Sequence, residues 1–201
     1  MEIRAVVFDI GGVLEITPPM DVGARWEAEL GLPTGAVHDR LGDVFAAGCL
    51  GHVTEIGVLD AICEQLEVTT TEADRLMAIM WERYLGVANT ELIEWARELR
   101  PRHRTGILSN SFVGAREREQ QAYGFGDLVD VLVYSHEAGV AKPDPRAYAT
   151  VCRQLGVRPD QAVLLDDVDA NLDGARSAGM LAVGYRTNAQ AITELRDLLA
   201  D

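Results

Sequence analysis

The chain has 201 residues, 48% hydrophobic and 25% charged, with a formal net charge of −14, a composition that supports a globular protein with a real core. So negative a field repels polyanions, which argues against nucleic acid and anionic membrane surfaces as general partners. Cys49, Cys63 and Cys152 lack CxxC or Cys/His spacing, so neither a disulfide framework nor a zinc site is expected, and all three read as core fillers in a reducing compartment.

In chain order, the first element is the apolar run IRAVVF at 3–8, which stops at Asp9 and is followed closely by Gly11 and Gly12. This segment is too short for a signal peptide and carries Glu2, Arg4 and Asp9, and no apolar run reaches membrane length. The protein is therefore expected in the cytoplasm. From about 18 to 86 the chain lacks β-rich runs and shows amphipathic stretches such as DVGARWEAEL and ADRLMAIMWERYL, with a helix-start signal at Thr69 and Glu72. Beyond it, apolar runs at 105–109, 131–135, 162–166 and 181–185 alternate with helical periodicity near 113–124, 144–156, 170–178 and 189–199. Continuous apolar runs suit parallel strands buried on both faces. The expected fold is therefore α/β, a doubly wound parallel-sheet core made of 1–17 and 87–201, with a helical cap over 18–86. Such an insertion leaves the carboxyl edge of the sheet, where ligands of these folds bind.

Polar residues follow the strand-like runs at that edge: Asp9, then Ser109 and Asn110, then Lys142, then Asp166 and Asp167. A single carboxylate at a strand end is more often a helix cap. Four such ends converging can hold a divalent cation, an anionic phosphoryl group and a nucleophile together. The adjacent Asp166 and Asp167 repel each other unless a cation or a lysine lies near. His38, His52, His103 and His136 show no ligand spacing. Trp26, Trp81 and Trp95 read as packing residues, and the arginines within 97–104 and 116–118 as solvated faces.

Through FDIGGVL, LSNS, AKPDP and LLDDVDANLDGARSAGM, in that order, the chain resembles the haloacid dehalogenase-like hydrolase superfamily over essentially its whole length. Within it, the chain is most similar to the sugar-phosphate phosphatase branch that includes the N-terminal domain of soluble epoxide hydrolase. The resemblance implies a Rossmann-like core, a magnesium cofactor and a small phosphorylated metabolite as substrate. It implies that Asp9 is the nucleophile and forms an aspartyl phosphate. Ser109, with Asn110 beside it, would bind the transferring phosphoryl group, and Lys142 would neutralise charge on that group and on the nucleophile. Asp9, the carbonyl of Gly11 and Asp167 would hold the metal, while Asp166 either joins that set or orients Lys142 or a metal-bound water.

The branch carries a second Asp two residues after the nucleophile, where this chain has Gly11. A backbone carbonyl survives there, but an acid–base group worth about 100- to 10,000-fold in rate is missing. Three readings stay open: a phosphatase of substrates with good leaving groups, a 2-haloacid dehalogenase whose halide needs no proton, and a low-activity protein that binds a ligand or partner. His52 in the cap and Glu15 just past the turn are the candidates for a replacement proton donor. Oligomeric state is not readable from these residues, and a homodimer stays open.

Overall fold

A computed structural model describes residues 2–100 and 102–200. The chain begins with β1 (Ala5–Phe8) and the short β2 (Glu15–Ile16), then runs through α1 (Val22–Leu30), α2 (Ala36–Cys49), α3 (Glu55–Leu66) and α4 (Thr70–Leu85). It returns by β3 (Val87–Ala88) to α5 (Thr90–Leu99), β4 (Arg104–Ser109), α6 (Ala115–Tyr123) and α7 (Phe125–Leu128). β5 (Val131–Tyr134), α8 (Ser135–Ala138), α9 (Pro145–Leu155), β6 (Ala162–Asp166), α10 (Asp169–Ser177), β7 (Leu181–Gly184) and α11 (Asn188–Ala200) complete it.

The main sheet is parallel with strand order β5-β4-β1-β6-β7, so β1 sits at its centre, and Phe8 lies opposite both Ile107 and Leu165. Both faces are covered, which is why the strands are apolar without alternation. Phe8, Ile107 and Leu165 pack with Trp95 of α5 and Leu195 of α11. Val7, Leu108 and Leu164 point the other way, into a layer built with Tyr148 and Val151 of α9 and Ala175 of α10. The α/β doubly wound reading is thus the observed architecture.

The helices α1 to α4 are entered and left through β2 and β3, which pair antiparallel, Glu15 opposite Ala88 and Ile16 opposite Val87. Two-residue strands carry no periodicity, so this ribbon had no signal in the sequence. The helices form their own cluster around Trp26, Leu41, Ile62, Leu76 and Trp81, and Phe112 and Ala115 from the segment after β4 join it. The Thr69–Glu72 signal is a true capping box: Glu72 N–H donates to Thr69 Oγ1 at 3.3 Å, and Thr69 N–H donates to Glu72 Oε2 at 2.8 Å.

Two expectations need correction. Cys152 is buried, but Cys49 is exposed at the end of α2 and fills no core. Arg116 and Arg118 are not merely solvated: Arg116 pairs with Glu137 and lies over the Tyr134 ring at 4.7 Å, while Arg118 pairs with Glu55 of α3 and lies over Trp81 at 4.0 Å. Their partners are distant in sequence, so local charge patterning misreads them. Among the described residues no helix is long and apolar enough to cross a membrane.

Candidate active site

The parallel sheet brings the ends of β1, β4 and β6 to one edge, and with them Asp9, Ser109 and Asp166. Lys142 arrives from the loop between α8 and α9. Asn110 fixes that loop, its amide donating to the Lys142 carbonyl at 2.8 Å and its carbonyl accepting from the Lys142 N–H at 2.8 Å. The side-chain hydrogen bonds of Asn110 thus position the lysine, a role its expected place beside the phosphoryl group did not suggest.

Lys142 is buried between two carboxylates, with its Nζ 2.8 Å from Asp9 Oδ1 and 2.6 Å from Asp166 Oδ2. Burial works against its charge, but the charges of Asp9 and Asp166 outweigh that and hold its pKa above the ordinary lysine value. Asp9 is pushed up to about 7, chiefly by burial, against the pull of Lys142. Its Oδ1 also accepts from the Ile10 N–H at 2.8 Å. Among the described residues no donor reaches Oδ2, so that oxygen is the one available to a ligand.

The two adjacent acids are clearly different. Asp166 is fully buried and also accepts from the Val168 N–H at 2.9 Å and from Asn171 Nδ2 at 3.0 and 3.2 Å. Asp167 is exposed and makes no ion pair among the described residues. Burial first, and then the charge of Asp166, raises its pKa. Asp9, Asp166 and Asp167 each offer an oxygen within 4.8 Å of the others. Hard oxygen donors so disposed fit a magnesium ion, with Asp167 the freer of the two neighbours.

The glycines divide the same way. Gly12 has φ 75°, and a Cβ there would collide with the Asp167 carboxylate, so glycine is required. Gly11 is outside the left-handed region, and a Cβ there would meet nothing within 4 Å.

His52 is exposed at the turn between α2 and α3. Glu15 is buried and, with Gly11 and Ser109, lines a cavity of about 160 Å³. The structure thus brings Glu15, and not His52, to the site. Glu119 of α6 lines the same cavity and was missed, because AREREQQ reads as a solvated helix face. Asn171 was missed too, although its place five residues after Asp166, in the first turn of α10, was a usable signal. The three tryptophans are buried as expected.

The central lysine carries a stability prediction. In chelator, Lys142→Met should lower unfolding free energy by roughly 3–5 kcal/mol, because it strands two carboxylates in a dry site. Urea denaturation measures this. Adding Asp166→Asn should recover most of the loss, and a single variant as stable as the parent would contradict the pairing.

A model of the haloacid dehalogenase-like hydrolases matches residues 3–179. A phosphatase of Mycobacterium tuberculosis is 32% identical over 195 residues, covering 90% of this chain and 87% of its own. An N-acetylmuramic acid 6-phosphate phosphatase of Pseudomonas aeruginosa is 27% identical over 193 residues, covering 92% and 83% respectively. Other curated relatives are much longer: the chain spans 19% of mouse acyl-CoA dehydrogenase family member 10, at 27% identity over 98% of this chain. Among solved structures, an enzyme of the same family from Bacteroides thetaiotaomicron, crystallised as a magnesium complex, shares the fold with a TM-score of 0.82 at 19% identity, covering 98% of this chain and 100% of that one.

Proposed function

The chain belongs to the haloacid dehalogenase-like hydrolase family, and we propose that within it the protein is a magnesium-dependent phosphatase of a small phosphorylated metabolite, a sugar phosphate by preference. The observation that carries this reading is the state of Asp9. One of its oxygens is held by Lys142 and the Ile10 N–H, the other has no donor among the described residues, and an exposed carboxylate that makes no ion pair among them, Asp167, lies beside it. The names of the mycobacterial and pseudomonad relatives support phosphate-ester chemistry, and the second of them supports a sugar phosphate.

In this mechanism Asp9 Oδ2 attacks phosphorus, the P–O bond to the leaving group breaks, and an aspartyl phosphate forms. The leaving oxygen takes its proton from solvent; water then attacks phosphorus, the P–O bond to Asp9 breaks to restore the carboxylate, and of the water's two protons one stays on the released phosphate and one returns to solvent. Lys142 neutralises charge on Asp9 throughout, and Asp166, held by Val168 and Asn171, keeps the lysine in place. Ser109 donates to the phosphoryl oxygens. Magnesium, held by Asp9, Asp167 and the Gly11 carbonyl, would offset the charge of the phosphoryl group. The helices between 18 and 86 cover this edge as a cap, and the cytoplasmic setting belongs to the same proposal. The extra carboxylates beside Asp9 disfavour an anionic haloacid in a metal-independent reaction.

The test is a panel of sugar phosphates, nucleotides and phosphorylated acids, with magnesium and with chelator, beside a chloroacetate control. Phosphate release that falls at least a hundred-fold in chelator is the expected outcome. Halide release without metal, or no release of either product, would refute the reading.

A further inference from the structure

The two edges of the main sheet differ in charge. At the carboxyl edge stand Asp9, Asp166 and Asp167; at the amino edge, Arg4 precedes β1 and Arg104 opens β4. The Arg104 N–H donates to the Arg4 carbonyl at 2.9 Å, which sets these two residues side by side. The segment RPRHR at 100–104 adds Arg100, Arg102 and His103. Arg4, Arg100, Arg102 and Arg104 line a cavity of about 610 Å³. A second, of about 410 Å³, shares Arg102, His103, Leu199 and Ala200 with it and adds Arg196 of α11, so the two adjoin as one groove. Five arginines line this groove against three carboxylates, Glu2, Glu98 and Asp130. That is a local excess of positive charge on a chain whose net charge is −14.

The arginines fall into two groups. Asp130 holds two of them, its Oδ1 lying 3.4 Å from Arg100 and 3.8 Å from Arg104 while its Oδ2 accepts from the Thr105 N–H at 2.9 Å. Arg100 also donates to the Asp127 carbonyl at 2.7 Å. These contacts fix two guanidiniums in advance, which lowers the ordering cost of binding an anion. Arg4, Arg102 and Arg196 are exposed and their side chains make no ion pair or hydrogen bond among the described residues. Elsewhere, Arg25, Arg83, Arg116 and Arg118 each pair with a carboxylate. Guanidiniums gathered without partners repel one another, and an anion between them turns that repulsion into attraction. The guanidinium fork matches two phosphate oxygens at a time. Five forks along a groove exceed what one phosphate can satisfy. The carboxylates on distant faces do not cancel this site, because charges separated by more than about 8 Å are largely screened at physiological salt.

We propose that this groove is a second anion site, set apart from the candidate active site by the length of β1, roughly 13 Å, and that it takes an anion with two or more linked phosphates, free or carried by a nucleoside. Its volume lies within the range of small-molecule sites, about 300–1,000 Å³. The proposal does not depend on the phosphatase reading, since none of the residues at the carboxyl edge contributes to the groove.

Calorimetric titration of the intact chain in metal-free buffer tests this, with tripolyphosphate, orthophosphate and ATP as probes. Tripolyphosphate should bind at least ten-fold tighter than orthophosphate, and more weakly as salt is raised. Arg4→Glu and Arg102→Glu, at exposed positions whose side chains have no partner to lose among the described residues, should each weaken tripolyphosphate binding at least ten-fold. Arg196→Glu, on a different element, gives the same reading should either of these fail to fold. Arg153→Glu, the same charge change on an exposed residue of α9, should alter binding less than two-fold, which separates the groove from the net charge of the chain. Asp9→Asn and Ser109→Ala should also leave it within two-fold. ATP that binds as tightly as tripolyphosphate assigns the phosphates to a nucleotide, and ATP that binds more weakly assigns them to the free anion; either result supports the site. Tripolyphosphate bound no tighter than orthophosphate, or unaffected by the arginine reversals, would overturn the proposal. Binding lost in Asp9→Asn or Ser109→Ala would overturn it too, by placing the anion at the candidate active site.

Discussion

Asp9→Asn is expected to lower phosphate release by roughly 10⁴- to 10⁶-fold, the scale on which loss of a covalent nucleophile is felt, while the melting temperature stays at or above that of the parent chain. Both halves follow from the same contacts. The Asn carbonyl can keep the bonds that Asp9 Oδ1 makes with Lys142 Nζ and the Ile10 N–H, each 2.8 Å in the parent. That leaves the amide nitrogen where the attacking oxygen would be, and an amide nitrogen is no nucleophile toward phosphorus. Meanwhile the buried group changes from two carboxylates around one ammonium to a single matched pair, so uncompensated charge in the dry site falls. A phosphate-release assay and a thermal melt read the two effects. Release within a hundred-fold of the parent would rule out the covalent route.

The second large effect is a gain. Gly11→Asp should raise kcat/KM on alkyl phosphates by up to about 100- to 10,000-fold, the usual range for a proton donor to a poor leaving group. It should do much less for p-nitrophenyl phosphate, which leaves without help. The substitution is feasible because Gly11 is outside the left-handed region and a Cβ there has open space, unlike the neighbouring Gly12. The informative plot is log kcat/KM against leaving-group pKa. The parent should fall steeply along it and the variant more gently. A flat parent slope, with chemistry rate-limiting, would mean that a proton is already supplied, and Glu15 is then the donor to pursue, since it shares a cavity with Gly11 while His52 is exposed.

The core strands were legible because each is built on a near-continuous apolar run: AVLLD at 162–166 is β6 to the residue, with only its last position polar. The start of α9 was legible in its punctuation, Asp144 capping the Arg146 N–H and Pro145 opening the helix. What escaped depends on partners far along the chain. The four-residue helices α7 and α8 are too short for a period. Glu119 sits in a charged heptapeptide, yet it is buried and accepts from the Tyr134 hydroxyl, a partner from another strand. The different conditions of Asp166 and Asp167 depend on where β6 stops. Asp166 is its last residue and turns inward to Lys142, whereas Asp167 is exposed.

The sharing of Phe112 between the two layers has a bearing on how such proteins diverge. Its ring stacks on Phe45 at 5.3 Å between centroids and lies against Gly48, while the Val113 N–H donates to the Gly48 carbonyl at 3.2 Å. Ser135 Oγ donates to the Cys49 carbonyl at 2.7 Å, and the His136 carbonyl approaches Gly51 so closely that no side chain could stand there. The segments after β4 and β5 are thus shaped to one particular set of helices. A graft that exchanged only residues 18–86 for those of a relative would set a foreign surface against Phe112, Arg118 and His136. The set of mutually fitted segments is therefore discontinuous: the helices pack against 111–118 and 135–136, and an exchange that moves all three together should keep the stability that a graft of 18–86 alone loses.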